Sequence, residues 1–149
     1  MKLSVDQYLE ASRYRMETAR RLHDQQRFSG AIYFAGVAVE CLLRAYILRK
    51  DPTFDERHDL SDMFKRSELA DFVHSGERQD VSAWLGTVWA RWKNSYRYAS
   101  DDRLRTEFKG LKHDRGVKGD PLKENSRMVI EAALQLRTLG EKRWTSKTS

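Results

Sequence analysis

From Val5 to about Gln26, apolar residues recur at steps of three and four: Val5, Tyr8, Leu9, Met16, Ala19 and Leu22, with the small Ser12 in register. That spacing predicts an amphipathic helix, with Ser4 as its N-cap and Asp6 in its first turn. Phe28-Ser29-Gly30 reads as a short break. An almost unbroken apolar run follows from Ala31 to Leu48, AIYFAGVAVECLLRAYIL. At about 1.5 Å rise per residue the run is nearly long enough to cross a bilayer. Glu40 and Arg44 inside it argue against crossing, because each is costly at membrane depth and the i,i+4 spacing sets one above the other. A helix apolar around most of its circumference, with one internal ion pair, is expected at the centre of an all-α core. It should end near Lys50, where Asp51-Pro52 forces the chain out of the α region.

Beyond that stop, His58-Asp59-Leu60 forms a turn, and Ser61 caps a short helix through Met63, Phe64 and Leu69. Leu69, Phe72 and Val73 continue the coverage towards Ser75-Gly76. A third long helix is expected from roughly Glu77 to Tyr96, with Val81, Trp84, Leu85, Val88, Trp89 and Trp92 as its apolar positions. Its three tryptophans read as core or as a dimer seam. From Ala99 to Gly119 the pattern disappears. Six Lys/Arg against four Asp/Glu, with three glycines, read as a mildly basic loop with room for a broken helical turn. Asp120-Pro121 looks like an N-cap with proline at the first helical position. The last helix carries Leu122, Met128, Val129, Ala132, Ala133, Leu136 and Leu139; Gly140 should end it, leaving residues 141–149 as a polar tail. No stretch alternates with period two, so no sheet is expected. The pattern predicts one all-α domain over residues 1–140, an up-and-down antiparallel bundle of four to five helices.

Composition narrows the partners. Charged residues make up 34% of the chain and apolar residues 40%, a balance that suits helices with heavily solvated outer faces. The net charge of +6 favours a polyanion such as RNA. Cys41 is the only cysteine, so an internal disulfide is impossible, and its place in the apolar run marks it as a small buried hydrophobe. The first residues, MKLSVDQYLEASRYRME, hold no apolar signal core, so a cytoplasmic protein without membrane contact is expected.

Three places in the chain together resemble the HEPN family (higher eukaryotes and prokaryotes nucleotide-binding). The segment from Phe28 to Leu48 is similar to the family's second helix: an aromatic, small residues, then Val-Glu-Cys-Leu-Leu-Arg-Ala. The His58-Asp59-Leu60 turn follows at the family's spacing. Trp92-Lys93-Asn94-Ser95-Tyr96-Arg97-Tyr98 is similar to the Arg-Tyr segment near the end of the third helix. The resemblance implies a HEPN-like bundle, commonly a two-fold homodimer, that deals with nucleotides or RNA. It also implies a prokaryotic setting: a toxin–antitoxin or defence module, often with a nucleotidyltransferase partner protein. Ribonuclease members of the family carry an Arg followed about four to six residues later by a His. Here Arg97 has no histidine behind it until His113, and the pairs Arg15–His23, Arg66–His74 and Arg105–His113 each enclose seven residues.

The residues themselves support several chemistries. Glu40, buried in an apolar helix, needs a partner: Arg44, His58 or Arg97. His58 opens a turn against the central helix and can cap, bond Glu40 or transfer a proton. Arg97 and Tyr98, backed by Tyr96 and Trp92, combine a guanidinium with aromatic faces, a set that clamps a phosphate and stacks a base. The alternative for Arg97 is a salt bridge to Asp101 or Asp102. Those two carboxylates could also hold Mg²⁺ beside a phosphate, although no zinc-ligand cluster or glycine-rich phosphate loop accompanies them, and no metal or other cofactor is expected. Lys109, Lys112 and Arg115 would add phosphate contacts. The preferred function is nucleotide or RNA binding at a groove of Arg97, Tyr98, His58 and Glu40. Two alternatives are a metal-independent ribonuclease toxin, with Arg97 helped by His113 or His58, and a non-catalytic structural or antitoxin partner.

Overall fold

The computed structural model describes residues 2–54, 62–64 and 73–146. Among them the chain forms helices and turns and no strand. Five helices carry the architecture: α1 (Val5–Asp24), α2 (Phe28–Lys50), α3 (Arg78–Arg91), α4 (Asp101–Gly110) and α5 (Pro121–Ser146). Asp62, Met63 and Phe64 are also helical, with Met63 fully buried. The expected turn at His58-Asp59-Leu60, the Ser61 cap, Leu69 and Phe72 lie outside the described residues.

α1 begins as its pattern requires. Ser4 and Gln7 close a reciprocal capping box, and Leu9, Ser12, Met16 and Ala19 face the core. The break before α2 falls at residues 25–27 rather than at Phe28-Ser29-Gly30. Gln26 takes the left-handed conformation there (φ 62°), which turns the chain and frees Phe28 to open the next helix as a core residue. α2 packs most closely on α1, and small residues make this possible: Ala31, Ala35 and Ala38 are fully buried opposite Ala19 and Ser12. The buried Ser12 hydroxyl donates to the Ala38 carbonyl at 2.7 Å. α2 is long and apolar enough to cross a membrane, and 72% of its most apolar window is buried inside the fold. It is the central helix of the bundle.

Contacts at both ends of the long helices fix their directions. His23 near the end of α1 meets Ser126 near the start of α5 (Nδ1 to Oγ 2.7 Å), while Arg13 pairs with Glu141 near the other end. On α2, the Tyr46 hydroxyl donates to the Gly140 carbonyl at 2.5 Å, and Arg49 to the Trp144 carbonyl at 3.1 Å. At one end of α3 Glu77 forms a two-pronged pair with Arg143 (2.7 and 3.1 Å); at the other Arg91 reaches Asn125 (2.8 Å). Consecutive long helices therefore run antiparallel, and α2 lies parallel to α5. The fold is an up-and-down all-α bundle.

The helix expected over residues 77–96 is shorter. Glu77 closes a 3₁₀ turn, Ser75–Glu77, before the helix begins at Arg78, and the helix ends at Arg91. Arg91 donates to the Thr87 carbonyl and to Asn125, occupying its own helix end. Trp92 and Lys93 are extended, and Asn94–Tyr98 make a second 3₁₀ turn. The tryptophans consequently separate. Trp84 and Trp89, five residues apart, point about 140° apart around the helix. Trp89 is 53% exposed, whereas Val81, Leu85 and Val88 form the buried face.

Residues 99–119 are more ordered than their composition suggests. Ser100 caps α4, whose Leu104 and Phe108 are fully buried, and only residues 111–119 form turns. Gly116 and Gly119 supply the positive φ those turns need (73° and 85°). Buried Asn125 holds the segment in place, donating to the carbonyls of His113 (2.9 Å) and Pro121 (2.8 Å) while accepting from Arg91. The whole amide is satisfied.

α5 continues through Gly140 to Ser146, so residues 141–146 are helix and not a frayed tail. Gly140 is needed for contact: a Cβ there would lie 2.7 Å from the Leu42 side chain. Trp144 packs edge-on against Tyr46 (4.9 Å) and carries the Arg49 guanidinium over its ring at 3.7 Å. Arg143 and the His74 backbone amide hold the Glu77 carboxyl down at about 2. Trp144→Ala should cost about 2 kcal/mol in thermal or denaturant unfolding, less than the ~3–5 kcal/mol of a fully buried indole because the ring is only partly buried. An unchanged midpoint would return these residues to the status of a tail.

Candidate functional site

Glu40 and Arg44 pair with each other. Arg44 Nη2 and Nε approach Glu40 Oε2 at 3.1 and 3.2 Å, with both side chains largely covered, and the guanidinium lies 5.7 Å over the Phe54 ring. This i,i+4 pair lets a charged couple sit in an otherwise apolar helix. Nearby, burial pushes the Cys41 thiol up to about 11, so it stays protonated and unreactive. His58 lies outside the described residues.

The Arg97–Tyr98 segment lies elsewhere. It is carried by the 3₁₀ turn Asn94–Tyr98, whose anchor is Trp92. The Trp92 indole lies directly on Gly36 of α2 and donates to the Tyr33 carbonyl at 3.0 Å. Tyr96 points inward, 5% exposed, against Phe108. Tyr98 points outward, 79% exposed, and the Arg97 guanidinium stacks on it at 4.6 Å. Alternation along the turn thus gives one aromatic anchor and one aromatic platform. Among the described residues Arg97 makes no ion pair, with Asp101, Asp102 or any other carboxylate.

Asp101 has a structural duty. Its Oδ1 accepts from the Ser29 backbone N–H at 2.9 Å, at the start of α2, where Arg27 provides no side-chain cap. A carboxylate at that end satisfies an otherwise orphaned donor and complements the helix dipole. Asp102 is exposed and paired to Arg105 at 3.3 Å. The two adjacent carboxylates therefore serve different partners. Among the described residues, no three His, Cys, Asp or Glu side chains gather as metal ligands.

His113 is positioned by the fold. Its Nε2 lies 3.2 Å from the Ala90 carbonyl, which makes it the donor, and its ring meets Phe108 at 5.4 Å. Arg97 stacks before the start of α4 and His113 follows its end, ten residues of helix apart, about 15 Å. Lys109, Lys112 and Arg115 share that far end, all exposed. The structure therefore brings Tyr98 and Arg97 together, with Tyr96 beneath, and sets His113 and the three basic residues at the other end of α4.

Three residues that the sequence reading did not single out complete the site. A cleft of about 400 Å³ is lined by Lys93, Ser95, Tyr96, Tyr98, Arg103 and Glu107. Lys93 follows the indole anchor, and Arg103 and Glu107 project from one face of α4 at i,i+4. The signal available in the sequence was that spacing, which has meaning only once residues 101–110 are known to be helical. Lys93 Nζ lies 3.4 Å from Glu107. The Tyr96 hydroxyl is sealed from solvent, with Glu107 as its charged neighbour. Burial, with Glu107 beside it, raises the Tyr96 phenol, and the phenol together with Lys93 holds the Glu107 carboxyl below the usual carboxylate range. At neutral pH the cleft presents two cations, one carboxylate and the edge of an aromatic platform. Such a set suits a phosphorylated, base-bearing ligand.

A family model for the HEPN domain matches residues 5–103. The chain belongs to the HEPN family. The match covers α1 to α3, the Asn94–Tyr98 turn and the first residues of α4; Glu107, His113 and α5 lie beyond it. No curated protein and no solved structure matches the chain. Membership places this HEPN domain among proteins with nucleotide- or RNA-related functions.

Proposed function

We propose that the protein binds RNA or a nucleotide on the face formed by the Asn94–Tyr98 turn and the first two turns of α4. The observation that carries this reading is Arg97 stacked on the exposed Tyr98 ring at the mouth of a cleft holding Lys93 and Arg103. An arginine without a carboxylate partner among the described residues is ready for phosphate, and an exposed tyrosine ring is a platform for a base. Binding is tested by titrating labelled single-stranded RNA into the wild type and into Tyr98→Ala and Arg97→Ala variants.

The setting we infer is a cytoplasmic prokaryotic toxin–antitoxin or defence module with a nucleotidyltransferase-type partner, on the strength of family membership. The catalytic reading, a metal-independent ribonuclease using Arg97, has less support: the nearest histidine after it, His113, holds the Ala90 carbonyl at the far end of α4. A homodimer is also part of the proposal. The groove between α3 and α5, lined by Trp84, Thr87, Met128 and Leu134, lies on the helix that carries the half-exposed Trp89. Light scattering should give twice the 17.5 kDa chain mass; monomer mass at micromolar concentration would remove the dimer.

A further inference from the structure

The cleft beside Tyr98 contains one feature that phosphate binding does not explain. Glu107 is a carboxylate set between Lys93 and Arg103, where a phosphate would have to approach it. An ionised carboxylate next to a bound phosphate is repulsive unless it gains a hydrogen bond from the same ligand. Glu107 has the capacity for one. Its contact to Lys93 is long, 3.4 Å, and an ionised carboxylate accepts at about four lone-pair positions. The Tyr96 phenol beneath it, with Lys93, keeps the carboxylate ionised, hence acceptor-only.

Base N–H groups and ribose hydroxyls can both donate to a carboxylate, and the hydroxyl is the donor that lies between the phosphate and a base stacked on Tyr98. We infer that the cleft selects ribose over deoxyribose: Glu107 accepts the 2′-hydroxyl of a nucleotide whose phosphate sits on Lys93 and Arg103 and whose base stacks on Tyr98. The inference rests on the RNA- or nucleotide-binding reading and adds the sugar. Glu107 lies outside the span matched by the family model, so this selectivity is a property of this chain's α4.

The test compares three single-stranded oligonucleotides of one sequence, RNA, 2′-O-methyl RNA and DNA, binding to the wild type, Glu107→Ala and Tyr98→Ala. A hydrogen bond to a charged group corresponds to a preference of roughly tenfold or more for RNA over both other strands in the wild type. In Glu107→Ala that preference should collapse to about unity through weaker RNA binding, since the other two strands never made the bond. Thermal melts that coincide with the wild type show that the variant is folded, as expected for a side chain on the rim of a cleft. Equal affinity of the three strands for the wild type, with all three weakened by Tyr98→Ala, overturns the ribose inference and leaves the binding reading standing. An RNA preference that survives Glu107→Ala also overturns it. Binding of none of the strands overturns both. Competition by a ribonucleoside monophosphate, set against its 2′-deoxy counterpart, distinguishes the two sources of the same chemistry: selective displacement identifies a free ribonucleotide, and no displacement by either identifies a strand.

Discussion

Gly36→Ala should destabilise the protein by roughly 3 kcal/mol, lowering its melting temperature by about 10 °C, although glycine-to-alanine inside a helix ordinarily stabilises by about 1 kcal/mol. The reversal follows from the Trp92 indole. A Cβ on Gly36 would lie 2.0 Å from Trp92 Cδ1 and 2.3 Å from Cγ, so the whole ring must leave rather than a flexible tip. Its departure breaks the bond to the Tyr33 carbonyl and exposes apolar surface. The control is Gly86→Ala in α3, where a Cβ meets nothing within 4 Å; it should raise stability by ~0.5–1 kcal/mol. Because Trp92 leads directly into Lys93 and the Asn94–Tyr98 turn, Gly36→Ala should also weaken RNA binding. Equal melting temperatures for wild type and Gly36→Ala would show that the indole does not depend on this contact.

Tyr98→Ala should weaken binding of single-stranded RNA by about 10- to 100-fold, the equivalent of one base stack of ~1–3 kcal/mol. Stability should not change, because the ring is 79% exposed and, among the described residues, stacks only with Arg97. Tyr98→Phe should retain most of the affinity, since stacking needs the ring face. Arg97→Ala should act differently: it removes a cation as well as a cover for the ring, so the slope of log affinity against log salt should fall by about one. Direct titrations at several salt concentrations separate the two. Tyr98→Ala with wild-type affinity would place the RNA on another face.

Much of the fold is legible in the sequence. The three-four stepping of α1, the Ser4 cap, the buried run of α2, the stop at Asp51-Pro52 and the Asp120-Pro121 entry to α5 all follow from local rules, and the structure has them. α4 escaped because its helix has only two core residues, Leu104 and Phe108, in ten, and its order comes from Ser100, Asn125 and contacts remote in sequence. The final turns of α5 escaped for a related reason. Glycine reads as a helix end, but Gly140 is there so that Leu42 can approach, and Arg143 and Trp144 are held by residues about 66 and 95 positions away, separations that periodicity does not sense. The three tryptophans, read as one core or dimer seam, separate because five residues of helix turn Trp89 well away from Trp84 and the helix ends before Trp92.

The site was legible in part. Arg97 and Tyr98 stood out as a guanidinium beside an aromatic ring, and the structure stacks them. Glu40 read as the i,i+4 partner of Arg44 or as a link to His58 or Arg97; it holds Arg44 on its own helix. Asp101, a candidate metal ligand by composition, caps a helix that begins 73 positions before it in the chain. Lys93, Arg103 and Glu107 became visible as a set only when the Asn94–Tyr98 turn and α4 were placed side by side.

The most direct measurement is the affinity of single-stranded RNA for wild type and for Tyr98→Ala and Arg97→Ala, with the RNA examined for cleavage with and without EDTA. Nucleotide or RNA recognition at the Arg97–Tyr98 face predicts tight, salt-dependent binding to the wild type that both substitutions weaken at unchanged stability. RNA bound equally well by all three proteins, or by none, would contradict it.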